Sequence, residues 1–251
     1  MRSSTTKNKV IKIIFSSSAI LFVLFTWTII AIVYENDLLF PNIFEIIKRF
    51  FLLFTNKSSL INVLSTCLRV VICVTLCLLI GIVITMLYIA WPNTIYFFRP
   101  LIRIMRSMPL AIISIFIFII LGSKIGPYSI TILMTLPVVF EGLITGIDQI
   151  SKDITDDLSL LTGETKIKIN QVYLPIIKPY ITMSIIQALG MSFKVLIMGE
   201  YICQTNKSIG KELYNIKTTL EMADLLAYGI LIILIVTILE LFLARIKTNK
   251  Y

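Results

Sequence analysis

Asp156 to Pro175 reads D-D-L-S-L-L-T-G-E-T-K-I-K-I-N-Q-V-Y-L-P, a polar island between two hydrophobic runs. Ser151 or Asp153 is placed to cap a short helix, and Asp153, Asp156 and Asp157 suit its positive N-terminal end. Ile154, Leu158 and Leu161 then fall on one apolar stripe, and Gly163 ends the segment. Thr165 is placed to cap a second short helix carrying Ile169, Val172 and Tyr173 along one side. Leu174-Pro175 marks where the chain turns back into apolar sequence. The spacing therefore predicts a helix-turn-helix elbow with a charged outer face, suited to a groove on a soluble partner. A solvated loop with some helix accounts for the same spacing.

What surrounds the elbow is oily. The 251 residues are 57% hydrophobic, with a mean hydropathy of +0.94, which predicts an integral membrane protein with one helical bundle. The net charge is +9 with no histidine. Nucleic acid is not the expected partner, because the basic residues are scattered among apolar runs and form no stripe with interleaved aromatics. Membrane topology explains them better, since Lys and Arg collect in cytoplasmic loops. Cys67, Cys73, Cys77 and Cys203 have no metal-ligand or CxxC spacing and read as small packing residues. No metal site is expected.

Arg2, Lys7, Lys9 and Lys12 precede an apolar run over 11–33, long enough to cross a ~30 Å hydrocarbon core. That run is too long for a signal-peptide core, so it is expected to remain as an anchor with its N-terminus inside. An amphipathic helix follows Pro41. Further spans are expected over 61–90, 105–121, 128–147, 180–203 and 225–243, with Pro109 kinking the start of the 105–121 span and a tight outer turn at 122–127. Arg69 is expected to snorkel to an interface. The organisation is thus all-α and polytopic: a cytoplasmic tail over 1–10, one transmembrane domain over 11–247 containing the elbow at 151–175, and a tail over 248–251. Six crossings from an internal N-terminus put the elbow and both termini in the cytoplasm.

The elbow resembles the cytoplasmic signature loop of the membrane-spanning subunits of binding-protein-dependent ABC importers. That pattern runs Glu-Ala-Ala, three residues, Gly, nine residues, Ile, one residue, Leu-Pro. Anchoring on Leu174 and Pro175 puts Val172 at the Ile position, Thr162 at the Gly position, and Asp156, Asp157 and Leu158 at Glu-Ala-Ala. Glycine stands one place later, at Gly163, and the alanines are replaced. The likeness extends over 40–247. F-P-N-I-F-E-I-I from Phe40, S-T-C-L-R-V from Ser65, R-P-L-I-R-I-M-R-S-M-P-L from Arg99 and L-P-I-I-K-P-Y-I from Leu174 are similar to the nitrate, sulfonate and taurine branch. Glu200 and Ser208-Ile209-Gly210 resemble that branch's glutamate and the small-residue turn after it.

The resemblance implies a multi-pass subunit of the cell inner membrane working by alternating access. Its expected partners are a second permease copy in a homodimer, cytoplasmic ABC ATPase subunits that bind ATP and magnesium, an extracytoplasmic substrate-binding protein, and membrane lipid. The cargo expected is a small solute, anionic or resembling a vitamin precursor. This chain is not expected to be an enzyme or to bind a cofactor: it has no G-x-x-x-x-G-K-[ST], and Gly210-Lys211 is followed by Glu212.

Ionisable groups at membrane depth need an account, which singles out Glu141, Lys194, Glu200 and Glu240. Gln187 and Lys194 lie seven apart and share a helical face, with Met191 and Met198 close to it. Gln187, Met191, Lys194 and Glu200 are the expected translocation-path residues, with Lys194 attracting an anionic cargo. The competing reading pairs Lys194 with Glu141 or lets it snorkel. The rival function is an ion-gradient-driven secondary transporter, which calls for broken helices and paired repeats that the sequence does not display. A single cysteine placed by Ser159→Cys, with the four native cysteines replaced, should react with an impermeant maleimide only after the membrane is opened. Labelling from outside would place the elbow on the wrong face.

Overall fold

A backbone inside hydrocarbon must bond to itself, so apolar runs of this length form helices. The computed structural model describes residues 2–34, 36, 39–150 and 174–248, which contain helices and no strand. In order they are α1 (Arg2–Tyr34), α2 (Ile43–Thr55), α3 (Lys57–Ala90), a 3-10 turn at Pro92–Thr94, α4 (Ile95–Ser107), α5 (Leu110–Asp148), α6 (Leu174–Cys203), α7 (Ile209–Thr219) and α8 (Met222–Thr248). Among the described residues, α1, α3, α5, α6 and α8 are long and apolar enough to cross a membrane. The residues 2–10, expected to be a tail, continue α1. The elbow residues Asp156, Asp157, Leu158, Thr162, Gly163 and Val172 lie outside the described residues.

The chain forms two compact units. The first is Met1–Thr55 with Asn215–Ile230. In it Trp27 Nε1 donates to the carbonyl of Pro41 at 3.2 Å, and Tyr34 stacks at 4.9 Å on Phe40. Arg49 on α2 pairs with Asp224 at 3.2 Å. Otherwise α1 displays bare apolar surface: Phe22 and Val33 are 71% and 72% exposed. Such a surface belongs against lipid or another protein.

The second unit is Asn56–Tyr214 with Leu231–Tyr251. Within it α5 is two limbs. Gly122 has φ 66° and ψ −169°, a conformation reserved for glycine. A Cβ on Gly126 would sit 3.8 Å from Phe118 Cα, and Ile113 and Ile117 pack on Ile130. The chain therefore doubles back at Gly122. The turn is tighter than the expected 122–127 segment, because Pro127 stands near the start of the second limb, where its missing N–H is tolerated.

The expected 105–121 helix is also interrupted. α4 ends at Ser107, and Met108 and Pro109 are extended, with ψ 130° and 124°. Proline disfavours helical geometry in the residue before it, which ends α4 there. Both pieces nonetheless run antiparallel to the second limb of α5. Arg99 reaches Asp148 at 3.2 Å, Arg106 borders the same cavity as Glu141, and Leu110 and Met134 pack against one apolar cluster. Of the expected segment, 105–107 belong to α4, and the part from Leu110 onward is the first limb of α5.

Two further contacts set the directions. Cys73 and Cys77 on α3 lie against the carbonyls of Tyr128 and Ile132, so α3 and the second limb run parallel. The buried cysteines thus fill interhelical gaps, as packing residues do. α6 runs antiparallel to that limb, and the two are seated by missing side chains. A Cβ at Gly142 would collide with Ser184 Oγ, one at Gly146 would lie 2.9 Å from Tyr180 Cβ, and one at Gly199 3.3 Å from Pro127 Cα. Gly122→Ala should destabilise the fold by ~1–3 kcal/mol through backbone strain alone, since nothing lies within 4 Å of the added carbon. Gly229→Ala, equally uncrowded but helical, should leave the unfolding temperature in detergent unchanged or slightly raised.

Candidate translocation cavity

The close seating of α6 on α5 leaves one side of the pair open. There a cavity of about 650 Å³ is lined by residues of α5, α6 and the C-terminal end of α4. Met134, Pro137, Met183 and Met191 supply apolar wall, and Arg106, Glu141, Tyr180 and Gln187 supply polar groups. Two hydroxyls that also line it are already used. Thr145 Oγ1 donates to the carbonyl of Glu141 at 2.6 Å, and Ser184 Oγ to that of Tyr180 at 2.8 Å. These bonds within one helix are how hydroxyls are satisfied in hydrocarbon.

Of the four expected path residues, Gln187 and Met191 line this cavity and Lys194 and Glu200 do not. Lys194 is exposed farther along the same stripe of α6, together with Met183, Gln187 and Met198. Among the described residues it makes no ion pair, with Glu141 or any other group. Glu240 lies against mid-α6: a Cβ on Gly190 would be 2.9 Å from its Oε1.

Glu200 is fully buried in a polar network at the C-terminal end of α6. Arg69 Nη1 donates to Glu200 Oε1 at 2.7 Å, and Thr66 Oγ1 donates to Oε2 at 2.9 Å. Gly210 N–H donates to Oε2 at 3.4 Å. The guanidinium also reaches the carbonyls of Asn206 and Lys207, both at 3.1 Å. Ile209 N–H bonds to Thr66 Oγ1 at 3.1 Å, and Ser208 Oγ accepts from Lys211 N–H at 3.1 Å as an N-cap. Nearby, Asn62 Nδ2 donates to Glu212 Oε1 at 2.8 Å. One carboxylate thus ties α3, the end of α6 and the start of α7 together.

Arg69 therefore does not snorkel; its side chain is 14% exposed and turned inward. Thr66 and Arg69, three apart on one helix face, carry the signal: span counting puts them at the same depth as Glu200, and a charge there needs an opposite charge. At the other end of the helices Asp148 plays a lesser version of this part, accepting from Tyr88 Oη at 3.0 Å and from Arg99 Nη2 at 3.2 Å.

α3, α5 and α6 are apolar helices of spanning length, and α5 and α6 wall a cavity with charged side chains, as in a membrane-embedded helical protein. Residues 78–249 match the family model of the binding-protein-dependent transport system inner membrane component, and the chain belongs to that family. No curated protein matches the chain. Glu200→Ala should leave Arg69 buried without its counter-charge and destabilise the protein by ~3–5 kcal/mol. Thermal unfolding in detergent reads the loss, and the double variant Arg69→Met, Glu200→Leu should recover a large part of it.

Proposed function

We propose that the chain is one membrane half of an ATP-driven importer, passing a small solute by alternating access. The observation that carries this is the family match over 78–249, which takes in the elbow and every element that lines the cavity. Two copies of the chain form the path, and separate ATPase subunits, which hold the ATP and magnesium, dock on the cytoplasmic elbow at 151–175. An outer binding protein delivers the cargo.

In this reading the chain crosses the inner membrane six times, with both termini in the cytoplasm. The crossings are α1, α3, α4 continued by the first limb of α5, the second limb, α6 and α8. The doubling back at Gly122 supports counting α5 twice: the first limb spans about 18 Å at 1.5 Å per residue, and α4 supplies the rest of a ~30 Å core. Gln187 and Met191 line the path in the inward half. Lys194 continues it toward the dimer interface, where its charge favours an anionic group on the cargo. Glu200 holds the outer end of α6 in place.

One observation favours a second reading. The break at Met108 and Pro109 lies next to the cavity, and interrupted helices beside a midplane site also mark ion-gradient-driven carriers. Purification separates the two: co-elution with an ATPase subunit that hydrolyses ATP supports the importer, whereas ion-driven uptake by this chain alone in liposomes supports the carrier. In a complex of normal assembly, Lys194→Met should lower uptake roughly tenfold, the value of one charge-assisted contact. Unchanged uptake would remove Lys194 from the path.

A further inference from the structure

α2 has 13 residues and a length of about 20 Å, which falls short of a ~30 Å hydrocarbon core. Its residues divide among three sides of the helix. Ile46 and Leu53 are buried. Phe44, Ile47, Phe51 and Phe54 form an outward apolar stripe and are 81%, 45%, 63% and 50% exposed. Glu45, Lys48 and Arg49 take the third side. Phe50 meets Phe51 and Phe54 edge-on at 5.6 and 5.3 Å, which stiffens the stripe.

What covers the stripe follows from how α2 is held. α1 ends at Tyr34 and the chain turns back at once, the Phe40 N–H donating to the Asn36 carbonyl at 2.9 Å. Phe40 then packs on Tyr34, and the Pro41 carbonyl accepts from Trp27 Nε1 at 3.2 Å. Trp27 precedes the end of α1 by about two turns, so α2 starts about 10 Å back along that helix, level with the apolar run Ser17–Tyr34. Tryptophan and tyrosine, each an apolar ring with one polar edge, favour the membrane boundary. Arg49 braces α2 against Asp224 in the first turn of α8, and α3 begins one residue past its end. α2 is thus tied at both ends to helices of spanning length, which keeps it at their boundary with water. Its charged side sets the rotation: facing headgroups and water, it turns the stripe toward acyl chains. We infer that α2 is an interfacial helix, with Phe44, Ile47, Phe51 and Phe54 seated against phospholipid and Lys48 on the headgroup side. Such a seat goes beyond the importer reading, since it requires only that α1, α3 and α8 cross a membrane.

The test uses the full chain in nanodiscs, with the native cysteines replaced and a single NBD-labelled cysteine introduced by Phe44→Cys, Phe51→Cys or Lys48→Cys. Phospholipid brominated at acyl carbons 6 and 7 probes the boundary, phospholipid brominated at carbons 11 and 12 probes the bilayer interior, and iodide probes water. With the stripe about 5–10 Å into the boundary, the first lipid should quench the labels replacing Phe44 and Phe51 roughly twofold more than the label replacing Lys48, and iodide should quench in the reverse order. Iodide quenching at Phe51 as strong as at Lys48 would overturn the inference in favour of an aqueous face. Labels on the stripe that neither bromine nor iodide reaches would overturn it in favour of a protein cover, a second copy or a delivery protein. Stronger quenching by the deeper lipid would sink it as well, because α2 would then enter the core. Two stripe positions keep the outcome readable where one variant fails to assemble, and variants are compared only at matched gel-filtration profiles. Co-elution with an ATPase plays no part in the readout, so failure of the importer reading is seen separately.

Discussion

The close approach of α6 to the second limb of α5 is the constraint on which the rest depends. Lipid offers no hydrophobic drive for helices to associate, so contact area and short backbone distances must do it. Gly142, Gly146 and Gly199 provide that approach where Ser184, Tyr180 and Pro127 press against bare backbone. Thr135 and Ser192 add a buried hydroxyl contact at 3.1 Å between them. With the pair locked along its length, the cavity is left on one flank and its wall residues are fixed in register.

Polar groups are handled by two different strategies in this bundle. Hydroxyls such as those of Thr85, Ser114, Thr131 and Ser184 bond back to their own helix, and among the described residues no buried side-chain nitrogen or oxygen lacks a partner. Glu200 instead gathers donors from two other segments, α3 and the start of α7, which is the arrangement a buried charge requires. Three charges in and beside the cavity follow neither rule. Arg106, Glu141 and Lys194 lie on exposed faces without ion-pair partners among the described residues, which sets them apart from the charges that hold the fold together.

Much of this was legible in the sequence, and the exceptions have physical causes. The apolar runs fixed where most helices lie, because twenty or so oily residues have few alternatives to a helix. Gly122 and Pro109 were visible as turn and kink signals, but their effects were exchanged in scale. The turn collapses to a single glycine, and the proline breaks a crossing that hydropathy treats as continuous. The face shared by Gln187 and Met191 followed from helical spacing. Arg69 did not, because spacing within α3 cannot say which distant helix brings a carboxylate to it. The cavity role of Arg106 was hidden for the same reason: its neighbour Glu141 is reached only after the chain has doubled back.

The single-residue reversal at Gly122 also limits what that corner can offer a partner. With the Ser123 carbonyl already accepting a hydrogen bond from Thr205 Oγ1 at 2.9 Å, this corner offers almost no loop to grasp. On the importer proposal, contact with a delivery protein then falls to the longer stretches that carry α2 and α7, whose residues are not those that line the cavity, so cargo choice and partner choice are free to diverge independently.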